Sequence, residues 1–189
     1  FYANSVCAQT SESKLLGYMN ANGGYVTTEF RKAFENGGIY LMDEIDAGNP
    51  NVIVVMNAAL SSNMCAFPDG MVKKHENFLF IAAANTFGTG ADRQYVGRNQ
   101  LDLATLDRFI MIEWIYDLLL EEQLVSHHKF STEWLLIIYR MRELIQQNAY
   151  RLIVSPRATI QGAQLLAQGF DIETVMKLRV LPTATVDQQ

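Results

Sequence analysis

The pattern of apolar and polar positions changes once along the chain. Through about residue 117, short apolar runs alternate with Gly-, Asn- and Asp-rich connections. Four of these runs, Phe1–Val6, Gly38–Met42, Phe78–Ala83 and Phe109–Trp114, lack clean alternation, as strands of a covered parallel sheet do. Helical segments are expected between them. Thr27–Asn36 stops at Gly37-Gly38, and a second helix starts near Asn49-Pro50 and continues through Val52–Leu60. Ala21–Val26 reads as a turn into an extended piece, and Phe67–Val72 as a hairpin turning at Asp69-Gly70. From about residue 118 the period is helical. Ser131 is placed to cap a helix carrying Trp134, Ile138, Met141 and Ile145. Ser155-Pro156 opens another helix that stops at Gly169. Asp171 caps a last short one, and the tail from Pro182 is polar. Strands alternating with helices predict an α/β domain with a parallel sheet over 1–117, followed by a small all-α domain over 118–189.

Composition narrows the function classes. The 189 residues carry a formal net charge of -5, which argues against coating nucleic acid by bulk charge. The longest uninterrupted apolar run, Phe78–Ala84, is far short of a membrane span, and the start has no positive leader region. Cys7 and Cys65 form no disulfide framework and have no metal-ligand spacing, which is most simply a chain of the reducing cytoplasm.

Candidate chemistry gathers at the ends of the expected strands. Ile39–Met42 runs into Asp43-Glu44, where one carboxylate can hold a magnesium ion and the next can polarise an attacking water. Taken alone, a solvated acidic turn explains this pair as well. Phe80–Ala84 ends in Asn85, whose amide can bond a phosphate oxygen or that water, or merely open a turn. Arg108 follows a helix end, suited to developing phosphate charge or to a surface pair with Asp107. Arg157 lies in the first turn of a helix, where it opposes the helix dipole and needs a partner, phosphate or carboxylate.

In this order the phrases resemble the AAA+ ATPases, in particular their MoxR-like and dynein-related branch. They are similar to the ATPase subunit of cobaltochelatase and to related bacterial and phage proteins. The phrases are Glu12–Tyr18, Gly37–Asp46, Asn57–Leu60, Ala84–Gly88, Tyr95–Asn99 and Leu106–Phe109, so the resemblance spans almost the whole chain. It implies a P-loop NTPase sheet between helices, followed by a helical lid. ATP and magnesium are the implied cofactors. Asp43 and Glu44 would be the Walker B pair, with Asp43 on magnesium and Glu44 activating water. Asn85 would be sensor 1, Arg108 an arginine finger reaching a neighbouring subunit, and Arg157 sensor 2 on the lid. Leu16–Thr28 and Phe67–His75 would match two inserts that face the pore of a ring and touch the client. A finger acting in trans implies a homo-oligomeric ring, usually of six, remodelling a protein client or working with a chelatase-type partner subunit. Arg93 and Arg98 could each be a second arginine in trans, although a structural ion pair suits each better.

One part of the pattern is missing. No Gly-rich loop ending in Gly-Lys-Ser or Gly-Lys-Thr occurs in the sequence, and Phe87–Asp92 lacks the lysine. In the resembling proteins that loop precedes the segment matching Phe1–Val6, after a strand lying between the sensor 1 and arginine-finger strands. The expectation is an incomplete piece of an ATPase, inactive alone. A non-catalytic module derived from the same scaffold is the alternative. A metal-dependent hydrolase on Asp43, Glu44 and Asp46 leaves Arg108 and Arg157 unexplained. Asp46 itself is read as a cap for the following helix, with a role at the site as the other option. His75, His127 and His128 read as solvated, the two cysteines as small buried or half-buried residues, and Trp114 and Trp134 as packing anchors.

Overall fold

The computed structural model describes residues 1–181; the polar tail expected from Pro182 lies outside them. The chain divides into two compact units, Phe1–Met111 and Ile112–Gln189.

In the first unit, β1 (Tyr2–Ser5), β4 (Gly38–Asp43) and β7 (Phe78–Ala82) form a three-stranded parallel sheet in the order β1-β4-β7. The register pairs Ser5 with Asp43 and Met42 with Ala82, so all three strands end on one edge. Helix α2 (Glu29–Asn36) packs on one face of the sheet. Thr28 caps it by accepting from the Arg31 N–H, so the helix begins at Glu29, two residues later than expected. The core between them is aromatic: the Phe30 ring lies within 6.4 Å of Phe34, Tyr40, Phe67, Phe78 and Phe80. Ile39, Leu79 and Ile81 alternate to the opposite face and are exposed.

Two antiparallel hairpins branch from this unit. β2 (Tyr18–Met19) pairs with β3 (Tyr25–Val26) after the short helix α1 (Glu12–Leu16). β5 (Met64–Phe67) pairs with β6 (Gly70–Lys73), with Pro68 and Asp69 at the tip and Gly70 already in the strand. Arg31, buried on α2, ties both hairpins to the core. Its Nη1 donates to Asp69 Oδ1 at 2.7 Å, and its guanidinium lies over the Tyr25 and Phe67 rings. His75 is structural rather than solvated. It packs against Gly37, where a Cβ would stand 2.6 Å from Nδ1 and where φ is +84°, so only glycine fits.

The expected fourth strand, Phe109–Trp114, does not form. Phe109 packs on Phe80, but residues 110–117 are irregular, and Ile110 and Trp114 are each 92% exposed. A strand needs a neighbour to take its ladder hydrogen bonds, and among the described residues none pairs with this segment. Trp114 is therefore not a packing anchor.

Between the sheet strands and this segment run α3 (Pro50–Ile53), α4 (Met56–Ser61) and α5 (Leu103–Leu106). Asn49 and Asp102 cap α3 and α5 through their side chains.

The second unit comprises α6 (Leu118–Val125), α7 (Ser131–Asn148), α8 (Pro156–Ala167) and α9 (Ile172–Arg179). Ser131 is the first residue of α7 rather than its cap, a place taken by Phe130 at φ 65°. Asp171 caps α9 as expected, accepting from the Thr174 N–H. Trp134 is the buried centre, its indole N–H donating to the carbonyls of Ala158 and Thr159 on α8.

The two thiols differ in reach. Cys7 is exposed rather than buried or half-buried as expected, and the Thr10 hydroxyl beside it holds its thiol below the ordinary value. Cys65 is buried, which pushes its thiol up. In the native protein a thiol reagent at neutral pH is expected to modify Cys7 first, with Cys65 following only under denaturant. Peptide mapping of the labelled sites checks this, and equal labelling would contradict the burial of Cys65.

Candidate functional site at the carboxyl edge of the sheet

The site begins where β4 ends. Asp43 is exposed at the strand's last position, and its Oδ1 accepts from the Glu44 N–H at 3.0 Å. Glu44 then takes a left-handed conformation, φ 56° and ψ 40°. That conformation costs a non-glycine residue roughly 1–2 kcal/mol, and here it turns the chain into a single 3-10 turn, Ile45–Ala47. The main chain knits the neighbouring strand ends to this turn. Val6 N–H donates to the Asp43 carbonyl, and Ile45 N–H to the Ala83 carbonyl, each at 3.0 Å.

Asn85 lies two residues further on, exposed and just beyond β7. What joins it to the acidic pair is Asp46, which is fully buried. Asp46 Oδ2 accepts from the main-chain N–H of Asn85 at 3.2 Å, from the Thr86 N–H at 2.9 Å and from the Thr86 hydroxyl at 2.9 Å. Asp46 is therefore not the cap of the next helix; Asn49 has that place. Helix-capping logic is local, whereas this carboxylate is claimed by a loop 39 residues away.

Arg98 closes the cluster. Its Nη1 stands 3.5 Å from both Glu44 Oε2 and Asp46 Oδ1. The next residue is pinned to the same turn, with Asn99 N–H donating to the Asp46 carbonyl at 2.7 Å and Asn99 Nδ2 to the Gly48 carbonyl at 2.9 Å. Asp43, Glu44 and Asn85 are thus brought to one edge, together with Asp46 and Arg98. The spacing Asp43-Glu44-x-Asp46 was the available sequence signal for Asp46, and nothing local marked its contact with Thr86.

Arg108 is elsewhere in the same unit. Helix α5 is fixed to α4 by Asn57 Nδ2 donating to Thr105 Oγ1 at 2.9 Å. It is fixed to the loop after β7 by the close approach of Gly88 to Leu106, where a Cβ would stand 2.7 Å from the leucine. Arg108 follows this helix, exposed, with Nε donating to Ser61 Oγ at 2.6 Å and Nη1 to the Ala104 carbonyl. The expected alternative pair with Asp107 is not formed. Arg93 is exposed and, unlike Arg98, has no carboxylate partner among the described residues. Arg157 belongs to the second unit, exposed in the first turn of α8. Among the described residues no carboxylate pairs with it.

The donor set at Asp43 suits magnesium. This cation is held through one or two carboxylates, with phosphate and water supplying the rest. Asp43 is exposed and offers a carboxylate with one oxygen engaged by the Glu44 N–H. No helix among the described residues is long and apolar enough to cross a membrane.

The chain is similar to several known proteins. Over 98 residues the chain is 32% identical to the aerobic cobaltochelatase subunit CobS of a Sinorhizobium species. That match takes in 47% of this chain and 30% of the relative, so the chain spans under a third of the relative's length. Among solved structures, a candidate ATPase from Cytophaga hutchinsonii ATCC 33406 aligns with 95% of this chain and 69% of its own, at 15% identity and a TM-score of 0.48. NtrX from Brucella abortus aligns with 99% of this chain and 41% of its own, at 15% identity and a TM-score of 0.49. Residues 4–109, more than half of the chain and including every candidate residue of the first unit, match the family model of the AAA domain, dynein-related subfamily; the chain belongs to that family.

Proposed function

We propose that this chain is part of an ATP-hydrolysing ring motor that remodels a protein partner, of the kind that serves a metal chelatase. The observation that carries the reading is the edge where Asp43 and Glu44 end β4 beside Asn85, whose main-chain N–H is held by the buried Asp46. In this reading Asp43 holds magnesium. Glu44 orients the attacking water and takes its proton at a carboxylate oxygen. Asn85 donates from its side-chain amide to the terminal phosphate or to that water. Arg108 reaches the nucleotide of the adjacent subunit, and Arg157 serves as the sensor 2 arginine of the helical unit. When bound, ATP would supply the phosphoryl group and magnesium would neutralise its charge. The similarity to CobS supports a chelatase-type partner; the two hairpins, with Tyr18, Met19, Met64 and Met71 exposed, supply an apolar surface for a client.

Glu44→Gln tests the reading in the full-length protein. The amide keeps the shape and loses the base, so turnover is expected to fall by about 10²-fold or more while ATP binding persists. Turnover at the wild-type rate would remove Glu44 from the mechanism.

A further inference from the structure

We propose that Asp46 is the positioning residue of this site: it sets where Asn85 and Glu44 stand relative to each other. The inference rests on reading those two residues as the hydrolysis pair, and it adds a residue that touches neither water nor nucleotide.

Asp46 is fully buried, as a carboxylate seldom is without matched partners. Its two oxygens do different things. Oδ2 accepts three hydrogen bonds, all from Asn85 and Thr86, and so fixes the main chain that carries the Asn85 amide. Among the described residues Oδ1 has no hydrogen bond and pairs with the Arg98 guanidinium at 3.5 Å. The same Nη1 is 3.5 Å from Glu44 Oε2. One buried carboxylate thereby grips the Asn85 turn directly and the Glu44 side chain through a shared cation. Arg98 is itself held in place, its side chain 13% exposed and its neighbour Asn99 bonded to the Asp46 and Gly48 carbonyls. Glu44, in a left-handed conformation at the end of its strand, has only Arg98 to orient its carboxylate among the described residues. A charge-assisted hydrogen bond is roughly twice as strong as a neutral one, so the charge on Asp46, beyond its shape, is what the arrangement uses.

The test is Asp46→Asn in the full-length protein, with two readouts. The amide is isosteric but neutral, and its NH₂ would face the Arg98 guanidinium. Amide hydrogen exchange at Asn85 and Thr86 is expected to quicken by about 10-fold, since their acceptor weakens. Turnover is expected to fall about 10- to 100-fold in kcat with the KM for ATP within about 3-fold. Unchanged exchange at both amides would overturn the linkage, whether or not turnover changed. Quicker exchange with an unaltered kcat would overturn the positioning role. Should Asp46→Asn fail to fold, Thr86→Val removes one of the three donors with little change of volume, and the same pair of outcomes decides. The exchange readout stands apart from catalysis. If Glu44→Gln left turnover intact, the proposed function would fall while the Asp46 linkage remained measurable.

Discussion

Arg108→Ala is expected to lower ATP turnover by about 10³- to 10⁵-fold, the span attributed to an arginine supplied to a phosphoryl-transfer site, with ATP binding retained. The placement of the residue explains both halves. Arg108 follows α5, a helix fixed to α4 by the Asn57–Thr105 hydrogen bond and to the loop after β7 by the Gly88–Leu106 contact. Its guanidinium is steered by two neutral oxygens, Ser61 Oγ and the Ala104 carbonyl, and by no carboxylate among the described residues. Such a cation is aimed but not neutralised, so it retains its charge for phosphate. Nothing in the unit joins it to Asp43, Glu44 or Asn85, as a residue serving the next subunit requires. Mixing Arg108→Ala subunits with Glu44→Gln subunits gives the decisive measurement. An interface pairing Glu44 of the first with Arg108 of the second is complete, so mixed rings recover part of the turnover that each variant lacks. A mixture as inactive as its components would place Arg108 in the same site as Glu44 and undo the trans assignment. Arg108→Lys is expected to rescue little, because an ammonium cannot reproduce the planar fork.

The parts of this molecule legible in the sequence are those decided locally or by a repeated pattern. The strands over 2–5, 38–43 and 78–82 were readable as apolar runs bounded by turn residues, and Asp171 was readable as a cap because the rule involves only Thr174. The run Phe109–Trp114 has the same apolar character as those strands, yet it is irregular. Composition speaks to a strand's burial, whereas its existence depends on a partner's N–H and C=O groups. Asp43, Glu44, Asn85 and Arg108 could be named because each ends an element whose pattern shows. Asp46 could be named but not understood. Its position before Asn49-Pro50 suggests a cap, and only the fold brings Thr86 and Arg98 to its oxygens. Arg98 was half legible: an ion pair was the better reading, but its partners lie 54 and 52 residues earlier in the chain, beyond any local rule.

The second unit hides a larger case of the same kind. Glu121 stands in the run Leu118-Leu119-Leu120-Glu121-Glu122, where an acid reads as a solvated face, yet it is 2% exposed. Arg142 meets it as a fork, Nη1 and Nη2 each 2.9 Å from one carboxylate oxygen. Thr159 donates to Glu121 Oε2 at 2.5 Å, and Arg142 Nε donates to the Val154 carbonyl at 2.8 Å. The guanidinium also lies 4.5 Å from the centre of the Tyr116 ring. Arg142→Met is therefore expected to destabilise this unit by about 3–5 kcal/mol, because it strands a buried carboxylate with one hydroxyl for company. Urea denaturation followed by the fluorescence of Trp134 reads the change; Phe substituted for the exposed Trp114 removes the competing signal at little cost. The double variant Glu121→Leu with Arg142→Met should recover much of the loss, since apolar side chains in place of both ions often match a buried pair. Loss in the double variant equal to the sum of the singles would show that the two residues act separately. The network also bears on the role proposed for Arg157. Thr159 lies on α8 two residues after Arg157, so the charge pair that holds Thr159 also holds the helix turn that presents Arg157. A double variant that regains stability but not turnover would mean that the ions position Arg157 rather than merely hold the unit together.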